Sequence, residues 1–473
     1  MIPLWTQSEA LAATSGKAFG PAWEAFGVSI DSRSVGRGDL FVALTGPNHD
    51  GHDYVAKALA DGATAALVHK RPDNLSDDAP LILVNDTLEG LRALAAAARA
   101  RSIAKIVGVT GSVGKTSSKE MLKLALEAAG PTHASVGSFN NHWGVPLSLA
   151  RLPKDAQYAV FELGTNHPGE IVPLTTLVRP HVAVITTVEA VHMEFFASTA
   201  EIAEAKAEIF EGVTDGGIAI LPRDNRHYAY LRRAAEAKGI RRVESFGSHI
   251  DATARLLDCA VDPTETVVFA LFGDQPLFYR VGVPGRQWAV NSLAVLQAAA
   301  ACGVPLADAA RALSGMQAPK GRGQRRRLNW DQGAIELIDE SYNASPVSMR
   351  AAIATLAAAK PGKAGRRIAV LGDMLELGDA SAQLHAGLAE AVVERRIDIV
   401  FTAGPLMRSL HDALPSALRG EHAADADSLA SLLKGALKGG DIVMVKGSAG
   451  SRMGRVVQAL NDASAAFGQP AQS

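Results

Sequence analysis

Cysteine is almost missing from this chain. Two thiols in 473 residues, Cys259 and Cys302, cannot build a disulfide framework. A chain so poor in cysteine suits a reducing compartment, and a cytoplasmic setting is expected. Aromatic side chains are also scarce, at 5%. With alanine so abundant, helices packed closely on sheets are the natural architecture. Neither sign of charge dominates: 47 Lys and Arg stand against 49 Asp and Glu. No global basic field therefore draws the chain to nucleic acid or to an acidic membrane surface. No apolar run approaches the roughly 18 residues of a membrane-spanning helix. The first nine residues, Met1 to Glu9, have neither the basic start nor the apolar core of a signal peptide. Neither a leader nor membrane insertion is expected.

What remains is a chain of globular composition, 48% hydrophobic and 20% charged, long enough for two or three domains. Its most informative stretch is Ile106-Val107-Gly108-Val109-Thr110-Gly111-Ser112-Val113-Gly114-Lys115-Thr116-Ser117. A β-type apolar run enters a glycine-punctuated loop ending in Gly-Lys-Thr, and a helical pattern follows. Backbone N–H groups and a helix start can cradle a phosphate there, with Lys115 as counter-charge and Thr116 as a Mg²⁺ ligand. The strict P-loop places Gly where this chain has Val109. An ordinary strand–turn–helix junction is the competing reading.

Apolar runs alternate with helical patterns over most of the chain, which predicts parallel sheets wound on both faces. Three segments are expected: 1–104, 105–318 and 319–473. In the first, Ser32 and Arg33 follow Asp31 in a turn that either binds an anion or is solvated. In the second, runs at 158–161, 181–188 and 217–221 end near Glu162 and His192. Ligands of such sheets collect beyond the carboxyl ends of the strands. Asn140 and Asn141 lie between the first helix and the next run, and Asn291 stands near the start of a helix over 288–301. Residues 250–283 read as a small β excursion, and 319–327 as a basic, glycine-containing connector. The third segment alternates again, with Asp339 to Asn343, Gly372 to Met374 and Lys446 to Ser448 at strand ends.

Lys206 poses its own question. Ser198 and Glu201 have capping-box spacing. Beyond them Ile202, Lys206, Ile209 and Phe210 recur at i, i+4, i+7 and i+8, which places the lysine on the inward face. A buried ammonium wants a partner or a chemical change. The alternative is a snorkelling side chain with its head in water.

Taken together these motifs resemble the Mur ligases, the ATP-dependent amino-acid ligases that build the peptide of bacterial peptidoglycan. The likeness runs through all three segments. It rests on Asp31-Ser32-Arg33 with Asp50-Gly51-His52, on Thr110 to Thr116, and on Asn140-Asn141-His142-Trp143-Gly144. Further along it rests on Glu162-Leu163-Gly164, Ala205-Lys206-Ala207-Glu208, Asp339-Glu340-Ser341-Tyr342-Asn343 and Lys446-Gly447-Ser448. The family's phosphate loop is itself off-register, which accounts for Val109. The element Tyr342-Asn343-Ala344-Ser345-Pro346, and the lack of an Asp-Asn-Pro-Arg motif, favour the last ligation of the series over the diamino-acid step. Two departures from the family stand out: Thr186 to Ala190 ahead of His192, and Ala449 after Ser448 where an Arg often follows.

The resemblance implies three domains: a UDP-sugar-binding one, a central P-loop-type ATPase, and a Rossmann-like C-terminal one that takes the incoming dipeptide and closes over ATP. It implies ATP and two Mg²⁺ as cofactors, with UDP-N-acetylmuramoyl-tripeptide and D-alanyl-D-alanine as partners of a monomer. Lys115 and Thr110 to Ser117 would hold the nucleotide phosphates, joined by Asn291 at the adenine and by Arg322, Asp339, Tyr342 and Asn343 from the third domain. Thr116 and Glu162 would hold one metal ion; His192 and a carboxylated Lys206 would hold the second. Ser32, Arg33, Asn140 and Asn141 would meet the UDP-sugar. A nucleotide-binding scaffold that had lost its chemistry is the contrasting reading, and the completeness of this set argues against it.

Overall fold

The computed structural model describes residues 2–191, 193–331 and 333–467. Three sheets organise it, apart from one small two-stranded pairing of Trp5–Thr6 with Glu24–Ala25. The first has five strands in the spatial order Lys17–Phe19, Leu81–Leu83, Ala65–Val68, Asp39–Val42 and Gly27–Ser29. All pairings in it are parallel except that of the outermost Lys17–Phe19.

The central sheet has nine strands. Lys105–Thr110 lies inside it, flanked in parallel by Tyr158–Glu162 on one side and Val182–Ile185 on the other. The chain thus crosses in opposite directions from this strand, and the crevice of a doubly wound sheet opens at that reversal. Register fixes what faces the crevice. Glu162 pairs with Val109 and Ile185 with Thr110, so the three strands end within one residue of each other and the chain leaves them at the same edge of the sheet through Gly111, Leu163 and Thr186. The sheet continues through Ile218–Pro222, Arg242–Gly247 and Ala254–Val261, then adds Thr266–Phe272 and Gln275–Val281 as antiparallel edge strands. The small β excursion expected over 250–283 is therefore an extension of this sheet: Phe246 and Gly247 pair directly with Ala254 and Arg255.

The third sheet has six strands, parallel except for the hairpin of Gln324–Trp330 with Gly333–Glu340. The basic connector is accordingly shorter than expected. Gln324 to Arg327 lie in a strand, and Arg325 spends its charge on Glu336 across the hairpin at 2.8 Å. No helix among the described residues is long and apolar enough to cross a membrane.

The first two segments share apolar packing. Leu147 and Ala150 of the helix Gly144–Ala150 join Trp5, Leu91, Leu94 and Ala98 in one buried cluster. Ala95 packs into the core of the central sheet. The indole N–H of Trp5 donates to the Ala150 carbonyl at 2.8 Å, and buried Arg99 donates to the carbonyls of Val178 and Arg179 at 2.7 and 2.9 Å. Between the second and third segments lies a cavity of about 1050 Å³.

Candidate active site

The cavity floor is the loop after Lys105–Thr110. Gly111 and Gly114 have φ of 141° and 90°, backbone that side-chain-bearing residues rarely adopt. Both are also sterically confined: a Cβ at Gly111 would meet Thr186 Oγ1 at 2.0 Å, and one at Gly114 would meet Asn291 Nδ2 at 2.7 Å. The loop is braced from outside. Thr186 Oγ1 donates to the Val113 carbonyl at 2.6 Å, and Ser112 N–H donates to the Thr187 carbonyl at 2.9 Å. The Lys115 ammonium folds back on the Gly111 carbonyl at 2.6 Å. Burial lowers its pKa, Glu162 opposes that and Arg322 adds to it, so cations from two segments share one space.

Thr116 lies in the first turn of the helix Lys115–Glu127, and its hydroxyl donates to Glu162 Oε2 at 2.8 Å. The other carboxylate oxygen, Oε1, accepts from Asn140 Nδ2 at 2.7 Å. Both Thr116 and Glu162 are buried. Asn140 thus lies at the phosphate end of the cavity. Asn141 separates from it: its Oδ1 accepts from the N–H groups of Trp143 and Gly144, at the start of the helix Gly144–Ala150. Ser32 and Arg33 lie away from the cavity wall, with the exposed Arg33 guanidinium forked onto Asp31 at 2.7–3.2 Å. That pairing holds the Asp31 carboxyl down at about 2.

From the third segment, Arg322, Tyr342 and Asn343 line the cavity. The Arg322 guanidinium lies 4.2 Å from the Tyr342 ring centroid, and the tyrosine hydroxyl meets Ser138 Oγ across the cleft. Asp339 departs from expectation. Its buried carboxylate accepts from Ser341 N–H and Oγ at 3.1 and 2.6 Å, and it is not among the lining residues. Thr110 and Ser118 likewise lie beneath the lining, each with a buried hydroxyl that finds no hydrogen-bond partner among the described residues. Ser117 and Asn291 line the cavity.

Lys206 is inward, as its periodicity predicts, and 1% exposed, so it does not snorkel. Ser198 caps its helix by accepting from Glu201 N–H at 3.3 Å, while the Glu201 carboxylate accepts from Ala197 N–H instead of closing the capping box. Burial drives the lysine pKa well down, and Lys115 adds to the effect. Glu208 and Glu170 pull the other way. No hydrogen bond or ion pair of its ammonium occurs among the described residues. The His192 expectation lies outside the described residues.

Two contributors were missed. Asn225 follows the strand Ile218–Pro222 and secures the loop beyond Ile185, donating to Thr187 Oγ1 and the Val188 carbonyl at 3.2 and 2.9 Å. Its position just past a strand end was the available signal. Lys119, one turn after Lys115, is fully buried. It repeats with Leu122 and Leu126 at i, i+3 and i+7, the same inward pattern that picked out Lys206.

Comparison with known proteins shows the family of the chain. Family models match in three successive blocks: the Mur ligase family catalytic domain over residues 25–101, the Mur ligase middle domain over 109–299, and the Mur ligase glutamate ligase domain over 321–449. The chain belongs to the Mur ligase family. This Mur ligase is 36% identical to the UDP-N-acetylmuramoyl-tripeptide--D-alanyl-D-alanine ligase of Escherichia coli, over 92% of this chain and 93% of that one. Among solved structures it is similar to MurF of Acinetobacter baumannii, with TM-score 0.83, 30% identity, and 98% and 100% of the two chains covered. It is also similar to the MurF ligase of Thermotoga maritima in complex with ADP, with TM-score 0.76, 28% identity, and 93% and 98% covered. The chain is thus a three-block member of a family of ATP-dependent ligases, and the scaffold reading falls away.

Proposed function

We propose that this Mur ligase joins D-alanyl-D-alanine to UDP-N-acetylmuramoyl-tripeptide, forming ADP and phosphate, as a cytoplasmic monomer in peptidoglycan precursor synthesis. The observation that carries the reading is the near full-length likeness to ligases of that name, together with one cleft that gathers Lys115, Thr116, Glu162 and Arg322. Residues 1–104 bind the UDP-sugar through Ser32 and Arg33. Residues 105–318 bind ATP. Residues 319–473 take the dipeptide and close over the nucleotide.

A carboxylate resists attack by an amine because it is anionic and lacks a leaving group. Transfer of the ATP γ-phosphoryl to the tripeptide's terminal carboxylate gives an acyl phosphate. The dipeptide amine adds to its carbonyl carbon, and the tetrahedral intermediate expels phosphate as the amide forms. Such a transfer depends on positioning and charge neutralisation. Lys115 leaves the Gly111 carbonyl to meet the β- and γ-phosphates, the loop N–H groups cradle them, and Arg322 approaches from the opposite wall. The Thr116 hydroxyl and Glu162 carboxylate are hard oxygen donors of the kind that would hold Mg²⁺. When bound there, the ion neutralises phosphate charge.

Lys206 as an ammonium does not fit a second metal ion. Its burial favours the free amine, which is the form that adds to CO₂. The N–C bond forms, a proton leaves, and the resulting carbamate would supply anionic oxygens to a second metal ion, with His192 as the co-ligand that the family resemblance implies.

The test is phosphate release from ATP with each substrate omitted in turn. Release should require both UDP-tripeptide and dipeptide, and release indifferent to the dipeptide overturns the assignment. Lys206→Ala should abolish ligation, and excess short-chain carboxylate should restore part of it; full activity without the lysine removes it from the metal site.

A further inference from the structure

Two lysines are among the largest fully buried side chains of the molecule, and the mechanism above uses only Lys206. The other, Lys119, has no catalytic part assigned, yet its ammonium is both hydrogen-bonded and charge-paired. Its ammonium donates to the Ser135 carbonyl at 2.6 Å and the Gly137 carbonyl at 2.7 Å, and it pairs with Glu120 Oε1 at 2.7 Å. Two of the ammonium's three donors go to those carbonyls, and the adjacent Glu120 carboxylate balances its charge.

The acceptors matter because of where their segment leads. Residues 135–143 join the strand Thr132–Ala134 to the helix Gly144–Ala150 without regular structure of their own. Their order depends on contacts of this kind. Ser135 Oγ accepts from the Glu162 N–H at 3.4 Å. Asn140 accepts from the Gly164 N–H at 2.8 Å through its carbonyl, and its side chain holds Glu162 Oε1. That leaves Glu162 Oε2 turned to Thr116, which lies on the same helix as Lys119 and three residues before it. The amide of Asn140 is closely confined: a Cβ on Gly164 would stand 2.7 Å from its Cγ.

We propose that Lys119 is a positioning residue of the metal–nucleotide site, clamping the 135–137 backbone to the phosphate-loop helix so that Asn140 keeps the Glu162 carboxylate aligned with Thr116. The inference rests on the reading of the cleft as an ATP–Mg²⁺ site. A neutral side chain at 119 leaves the buried Ser135 carbonyl and the Gly137 carbonyl without their donor and the Glu120 carboxylate without its counter-charge, and the segment relaxes to find others. Asn140 moves with it, and Glu162 loses the bond that orients it. Lys115 and the glycine loop are braced separately by Thr186 and Thr187, so the phosphate cradle itself stays in place.

The separation of these two supports sets the experiment. Binding of a non-hydrolysable ATP analogue is measured by titration calorimetry with and without Mg²⁺. Lys119→Met should weaken binding in Mg²⁺ about tenfold while changing Mg²⁺-free binding less than about twofold. Asn140→Ala should show the same pattern, and the double variant should bind no more weakly than the weaker single, because both act through one carboxylate. Lys119→Gln, which keeps an N–H donor for the carbonyls, should show a smaller loss of the same kind and carries the test if the methionine variant does not fold. Equal losses with and without Mg²⁺, or losses that multiply in the double variant, overturn the proposal. Absence of any Mg²⁺-promoted binding in the unaltered protein would instead overturn the reading of the cleft.

Discussion

Residues 1–104 meet the central segment across shared apolar packing, whereas residues 319–473 face it across an open cleft. At the first junction Trp5, Leu91 and Leu94 bury against Leu147 and Ala150. Arg99 reaches across to two carbonyls, and Lys154 pairs with Glu9 at 2.7 Å. At the second junction every apolar cluster among the described residues stays on its own side. What crosses there is polar: the Tyr342 hydroxyl with Ser138, and the Glu194 N–H with the Glu376 carbonyl at 3.4 Å. Apolar area holds bodies together without direction, while an open polar face can part and re-form around a charged ligand. The first segment is therefore tied to the central one by apolar packing, whereas the third meets it only through polar contacts around the cleft, the arrangement that the proposed closure over ATP needs.

The comparison breaks if the two junctions respond alike to damage. Trp5→Ala removes one of the two tryptophans of the shared cluster, together with its bond to Ala150. It should lower stability by about 3–5 kcal/mol in denaturant unfolding, while the variant, kept well below its melting temperature, turns over near the normal rate. A collapse of turnover in the folded variant would mean that this junction also takes part in catalysis. Lys115→Ala on the cleft side should do the reverse. Turnover should fall by about 10²–10³-fold, or roughly 3–4 kcal/mol of transition-state stabilisation, with little change in the unfolding midpoint. A lysine that merely ties the loop to the Gly111 carbonyl would instead cost stability and spare turnover.

How much of this could be read before folding depends on the range of the interaction. The phosphate loop is local: strand, glycines, lysine and threonine follow one another, and the structure builds them as read. Inward Lys206 was legible because helical periodicity is local too, and Lys119 carried the same signal on its own helix. The bond between Asn140 and Glu162 was not legible. It joins residues 22 apart, through an irregular segment and the parallel pairing of separate strands. Asp339 shows the opposite error. A carboxylate at a strand end can turn to the cleft or to the following turn, and Ser341, two residues on, offers it two donors. Nor does the apolar pattern of residues 254–281 state which sheet receives those strands; pairing at Gly247 decides it.

The smallest expected effect falls on the contact that spans the cleft. Tyr342→Phe removes the hydroxyl that meets Ser138 and keeps the ring beneath the Arg322 guanidinium. One partly exposed hydrogen bond is worth about 0.5–1.5 kcal/mol net, so the KM for ATP should rise roughly two- to tenfold. The ring contact is of similar size, about 0.5–1 kcal/mol at an exposed site, so Tyr342→Ala should cost about as much again. In X-ray scattering, compaction on adding an ATP analogue and UDP-tripeptide should survive Tyr342→Phe, since charge on Lys115 and Arg322 drives it. Loss of all compaction from that single hydroxyl would show the third segment to be held by one specific latch, and the contrast between a tied and an untied junction would give way to one between two kinds of tie.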